Sequence, residues 1–182
     1  MGIADPQRLG VMGHSFGGST TFGLITQTNR FQAAVAMAGR VENISPYGQF
    51  QPRKRYTDFP QDQVLATMYI VESPLYGYGL DGPPWKDLER YVRNAPLFSV
   101  DRVETPVMII HGEMDSSVPI QQGEEFFSAL YRQNKRARFV RYWGEGHQLQ
   151  SPANIRDMWK KIYDWFDEFL MSSDKSLTSS DK

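Results

Sequence analysis

Cysteine is absent from the 182 residues, which removes disulfide staples and thiolate metal ligands from any account of the chain. Histidine is scarce: His14, His111 and His147 are widely separated and give no His-x-x-x-His or other compact metal signature. No apolar run approaches the roughly 18 residues needed to cross a bilayer. Residues 1–10 also lack the apolar core of a signal peptide, so the expected location is cytoplasmic. A charge excess is missing too: 20 basic residues face 21 acidic ones for a net charge of −1. No global field therefore favours nucleic acid or an anionic membrane, and Arg53-Lys54-Arg55 reads as a solvated turn. Residues 13–18 contain neither the lysine of a phosphate loop nor Gly-x-Gly-x-x-Gly, so no cofactor is implied.

What is present is a globular composition, 40% hydrophobic and 13% aromatic, with room for one ordinary core. Neither an internal repeat nor a second domain is visible. Apolar runs alternate with helical periodicity. Residues 8–12 read as a buried strand, 19–25 as a helix and 31–38 as a second strand, together a βαβ unit. Residues 40–100 lose that periodicity and scatter aromatic residues among prolines and glycines. This is an excursion suited to a lid, a pocket wall or a packed loop, with weak helical stretches at 62–70 and 85–93. Residues 106–110 form the clearest strand. Pro119 opens a helix to about residue 134 whose apolar side is Phe126, Phe127, Leu130 and Tyr131. Residues 138–143 alternate as a fourth strand. Ser151-Pro152 caps a last amphipathic helix carrying Ile155, Met158, Trp159, Ile162, Trp165, Phe166, Phe169 and Leu170. Beyond residue 171 the Ser, Asp and Lys tail has no apolar period and is expected to be disordered.

The chemistry concentrates at Gly13-His14-Ser15-Phe16-Gly17, a Gly-x-Ser-x-Gly sequence between a strand and a helix. That setting suits a nucleophile elbow: Ser15 is lifted above the strand on a strained turn, and Gly13 and Gly17 keep side chains out of it. The backbone N–H of Phe16 is aimed where an oxyanion would form. A serine hydroxyl needs a base, and the base needs an acid to orient it. His14 sits inside the turn and reads as a pocket or packing residue, while His111 reads as a buried structural histidine at a strand end. His147, in a glycine-rich loop after the last strand, can reach over the elbow and is the expected base. Asp115 lies just past the penultimate strand and gives the order Ser, Asp, His of the α/β-hydrolase class. Glu113 reads as a solvent-exposed loop carboxylate and Asp101 as a surface or helix-start residue. A histidine base makes activity depend on neutral imidazole and fall on acidification.

Three motifs carry a resemblance to a known family. They are Asp5-Pro6-x-Arg8-Leu9-Gly10-x-x-Gly13-His14-Ser15-Phe16-Gly17-Gly18, Thr105-Pro106-x-x-Ile109-x-His111-Gly112-x-x-Asp115-x-x-Val118-Pro119, and Gly144-Glu145-Gly146-His147. In this order they resemble the catalytic domain of the prolyl oligopeptidase family of serine peptidases, from about residue 2 to 170. The resemblance implies an α/β fold of α/β-hydrolase type, here the C-terminal half of a mostly parallel sheet flanked by helices. Residues 1–171 would form that partial domain and 172–182 the tail. It puts the family's nucleophile, acid and base on Ser15, Asp115 and His147, and peptide bonds among the substrates. Phe16 stands where many relatives carry tyrosine.

Relatives place further strands, and usually a β-propeller, before the elbow strand. A truncated form is therefore expected here, one that lacks the second oxyanion donor; loss of such a donor costs about 10² to 10³-fold in rate. The elbow strand would then be an exposed hydrophobic edge open to self-association or a partner chain. Two other activities fit the same residues: a carboxylesterase or dienelactone-hydrolase-like ester hydrolase, and a catalytically silent fragment that acts through a partner.

Overall fold

The computed structural model describes residues 5–49, 68–75 and 77–171. The basic cluster at 53–55, most of the helical stretch expected at 62–70 and the tail at 172–182 lie outside the described residues; residues 68–72 are helical. Four strands, β1 (Gly10–His14), β2 (Ala33–Met37), β3 (Val107–Gly112) and β4 (Ala137–Tyr142), form one parallel sheet in the order β1-β2-β3-β4. The helices are α1 (Phe16–Ile25), α2 (Leu88–Arg93), α3 (Gln121–Arg132) and α4 (Pro152–Leu170), with a 3₁₀ segment at Pro96–Arg102.

Alternation along the inner strands explains why both faces are covered. Ala34, Ala36, Val107 and Ile109 point one way, into a core with Phe22 and Ile25 of α1 and Phe126 and Leu130 of α3. Ala33, Val35, Met108 and Ile110 point the other way, against Ile162 and Trp165 of α4. Successive residues of a strand face opposite sides, so a strand covered by helices on both sides must be apolar throughout. The run at 107–110 reads as such a strand for this reason. The excursion has a small core of its own, Val71, Leu80 and Tyr91, with Tyr47 and Tyr78 packed on it.

Several sequence expectations are corrected. The first strand lies at Gly10–His14 rather than 8–12 and is not buried: Gly10, Met12 and His14 are exposed, because among the described residues no strand pairs with its outer side. The helix expected at 85–93 begins at Leu88, where the Asp87 side chain accepts the Arg90 N–H. Tyr131, expected on the apolar side of α3, and Trp143, expected in β4, both face solvent. Ser151 precedes α4 but makes no side-chain cap. The Glu145 carboxylate does that work instead, accepting the N–H groups of Gln150 (2.7 Å) and Ser151 (3.1 Å) and the Asn154 amide (2.7 Å). These bonds, led by Gln150, hold the Glu145 carboxyl below the usual carboxylate range.

Candidate active site

The C-terminal ends of parallel strands are where groups from distant parts of a chain converge, and here three loops meet there. Ser15 sits between β1 and α1 with φ 59° and ψ −119°, a left-handed backbone that L-residues rarely adopt. Its N–H is held by the Met37 carbonyl at the end of β2, at 2.9 Å. The turn requires glycine at position 13, where a Cβ would stand 2.2 Å from the Gly17 carbonyl oxygen. The expectation for Gly17 is corrected, since a Cβ there meets nothing within 4 Å. The crowding comes from Gly13, and Gly17 contributes its main chain to it.

Asp115 follows β3 in a tight loop and is buried. Its Oδ1 accepts the N–H groups of Ser117 (2.8 Å) and Val118 (2.9 Å). Its Oδ2 lies 2.8 Å from His147 Nδ1 and 3.2 Å from His111 Nε2. Burial pushes the Asp115 carboxyl up. The bonds from His111, His147, Val118 and Ser117 outweigh it and hold the group far below the usual carboxylate range. An ionised carboxylate only accepts, so His147 Nδ1 carries a proton and Nε2 presents its lone pair. Ser15 Oγ lies 2.8 Å from that Nε2. Ser15, Asp115 and His147, chosen from sequence, thus come together in one chain of hydrogen bonds.

Other residues hold this arrangement, and sequence reasoning gave them smaller parts. His14 Nε2 donates to the main-chain carbonyl of His147 at 2.7 Å, with the two rings 4.9 Å apart. His111, buried as expected, donates through Nε2 both to Asp115 and to the Val118 carbonyl (3.0 Å); its buried Nδ1 has no partner among the described residues. The loop after β4 is tied to the loop after β3 through Met114 N–H and the Glu145 carbonyl, at 2.8 Å. Glu113 is not the solvent-exposed carboxylate expected, because it is largely covered and paired with Arg141. Asp101 is exposed in the 3₁₀ segment.

Of the cavities beside the site, two flank it on the sides of His147 and α1. One, about 330 Å³, lies behind His147 and is mainly apolar, lined by His14, Met37, Ile110, Leu149 and Met158. The other, about 140 Å³, lies along α1 and is lined by Phe16, Ser19, Arg40, Tyr78 and Asn94. Phe16 is 56% exposed and packs against Tyr78, with ring centroids 5.1 Å apart. Arg40 is buried, and burial pulls its guanidinium below the usual arginine range against the opposing influence of Tyr78, Glu42 and Asp115. No group of three or more His, Cys, Asp or Glu among the described residues could hold a metal ion. No helix among them is long and apolar enough to cross a membrane.

The sequence pattern of the prolyl oligopeptidase family matches residues 1–173. The chain belongs to that family. An uncharacterized peptidase of Bacillus subtilis (strain 168), YuxL, is 34% identical over 169 residues, covering 91% of this chain and 23% of that protein. The acylamino-acid-releasing enzyme of Arabidopsis thaliana is 29% identical over 170 residues, 93% of this chain and 21% of its own length. Among solved structures, a puromycin-hydrolyzing peptidase of Mycobacterium tuberculosis superposes with a TM-score of 0.74 at 28% identity, over 93% of this chain and 23% of that one. An acylaminoacyl peptidase solved with a Z-Gly-Gly-Phe-chloromethyl ketone shares the fold, with a TM-score of 0.73 at 23% identity. The chain therefore spans about a quarter of the proteins it matches, and within this family it is the part with the parallel sheet and flanking helices of an α/β-hydrolase.

Proposed function

We propose that the chain carries the reaction centre of a serine peptidase that cleaves peptide bonds through an acyl-enzyme on Ser15. The observation that carries this reading is the 2.8 Å contact of Ser15 Oγ with His147 Nε2, continued at 2.8 Å from Nδ1 to Asp115. In the first step the Ser15 hydroxyl proton passes to His147 Nε2 as Oγ bonds to the substrate carbonyl carbon. Asp115 stabilises the imidazolium without taking its proton. The C–N bond then breaks and the same proton leaves on the amine. Water, activated by the same histidine, releases the acid and restores Ser15. Phe16 N–H, at the start of α1, donates to the oxyanion, and the helix terminus adds positive potential there. Peptides are favoured as substrates because the named relatives are peptidases.

Labelling of the chain by a fluorophosphonate probe tests the reading. Adduct formation on Ser15 that disappears in Ser15→Ala and His147→Ala is expected. A folded chain that takes no label, or takes it equally in both variants, refutes it. The exposed outer side of β1 supports one second reading, in which this edge pairs with a further strand. Sedimentation of the purified chain as a concentration-independent monomer would dismiss self-pairing.

A further inference from the structure

Arg40 is 7% exposed, yet no carboxylate lies within 4.0 Å of its guanidinium among the described residues. Buried charges are normally paired, because an unpaired one carries a large desolvation cost. The carboxylates nearest in electrostatic effect are engaged elsewhere. Glu42 accepts from the N–H groups of Ile44 and Ser45, the Ser45 hydroxyl and the Gln122 amide. Asp115 accepts from two histidines and two backbone N–H groups. Arg40 itself donates once from Nη1, to Asn43 Oδ1 at 3.2 Å, and once from Nη2, to the Ser117 carbonyl at 3.4 Å. Nε and the second hydrogens of both terminal nitrogens have no acceptor among the described residues. The Tyr78 ring covers the guanidinium at 5.9 Å without supplying one.

Arg40 lines the 140 Å³ cavity along α1, and two links tie it to the Ser15 site. Arg40 N–H binds Ser19 Oγ at 2.8 Å, and Ser19 N–H binds the Ser15 carbonyl at 3.0 Å, one helical turn from the nucleophile. The Ser117 carbonyl that holds Nη2 belongs to the loop whose N–H groups hold Asp115. Phe16 and Tyr78 supply an apolar wall, while Asn43 and Asn94 supply amides. A small cavity with aromatic rings and an arginine whose guanidinium is under-committed among its lining has the chemistry of a site for a short side chain ending in a carboxylate, which an arginine fork binds in bidentate fashion.

We infer that Arg40, with Asn43, Tyr78 and Phe16, forms a specificity subsite for an acidic side chain of the peptide substrate. The subsite rests on the hydrolase reading for its purpose, but its binding does not require turnover. The test compares N-acetyl-Ala-Glu-amide with N-acetyl-Ala-Gln-amide, isosteres that differ in charge, by titration calorimetry on the Ser15→Ala chain. The acidic peptide should bind about tenfold more tightly, the size expected of one charge-assisted pair. Arg40→Gln should bring the two affinities together, and Arg40→Lys, which keeps charge but loses the fork, should restore part of the preference. Equal affinities in the Ser15→Ala chain overturn the subsite, and so does a preference that survives Arg40→Gln. The isostere comparison is decisive even if the Arg40 variants fail to fold. Acidic preference without fluorophosphonate labelling of the unmutated chain leaves the subsite standing and removes the hydrolase; labelling without the preference does the reverse.

Discussion

The strands that deliver Ser15 and Asp115 are built in opposite ways. β3 is buried at all six positions and paired on both sides, and Asp115, in the loop it feeds, is held by donors from four residues, two of them in that loop. β1 is paired on one side only among the described residues, alternates between exposed and half-buried positions, and leads straight into a serine at φ 59°. Asp115 is thus preorganised by the interior of the sheet. Ser15 is held by a strained turn, the Met37 carbonyl and the close passage of Gly13 over Gly17. Placing the Asp115 charge and placing the Ser15 hydroxyl are separate structural problems in this chain, and they fail by separate routes.

The largest expected effect removes the charge and keeps the shape. Asp115→Asn leaves an amide where His111 and His147 both donate, so His147 loses the partner that fixes its tautomer. Fluorophosphonate labelling of Ser15 should fall by about 10⁴-fold while the fold persists by circular dichroism. A fall of less than tenfold would mean that the β3 loop does not govern the base. Stability should separate the strands next. Ile110→Ala in β3 is expected to cost about 2 to 5 kcal/mol. Met12→Ala in β1, which is 39% exposed, should stay within about 0.5 kcal/mol. Urea midpoints measure both, and similar costs would erase the distinction between interior and edge.

Acid should strike the same asymmetry. The Asp115 carboxyl is held below its unfolded value of about 3.9. Its hydrogen bonds therefore contribute fully above about pH 4, and the contribution is lost as pH falls through the lower folded value. Between pH 6 and pH 3 the unmutated chain should lose more stability than Asp115→Asn, which has no proton to gain. Parallel losses in denaturant titrations at the two pH values would show that other carboxylates set the acid limb.

How much of this was readable beforehand depended on how local the cause was. The alternation of strands and helices follows from apolar periodicity, and the run at 107–110 could hardly be anything but a central strand. That Ser15, Asp115 and His147 meet was legible because each stands in a loop just past a strand, in a short motif of glycines and polar residues. What was missed depends on contacts across the fold. Exposure of β1 follows from the lack of a neighbour on its outer side, and residues 8–12 read alone as buried. The His111 contact with Asp115 needs the curl of a loop to bring positions four apart together. Arg40 opens the irregular segment at 40–100 and carries no signal there; only the approach of Ser117 from 77 residues away ties it to the loop that holds Asp115. Glu145 replaces Ser151 as the cap of α4 for a similar reason. The Gly-Glu-Gly-His stretch does signal a tight loop, but not that its carboxylate turns toward residues 150–154.

The smallest expected effect isolates the strain in the elbow. Replacing Ser15 by either alanine or glycine removes the hydroxyl and its contact with His147, so that loss cancels when the two variants are compared with each other. What remains is the backbone. At an ordinary helix or strand position glycine is less stable than alanine by about 0.5 to 1 kcal/mol, because its unfolded chain has more freedom to lose. At φ 59° alanine carries a Cβ penalty of about 1 to 2 kcal/mol that glycine escapes. The two terms oppose each other and the second is larger. Ser15→Gly should therefore be more stable than Ser15→Ala by about 0.5 to 1 kcal/mol, a reversal of the usual order measurable as a higher urea midpoint at unchanged slope. The usual order, with alanine above glycine, would mean that the turn relaxes once the hydroxyl is gone and that the strain at Ser15 is held in place by His147 rather than by β1 and α1.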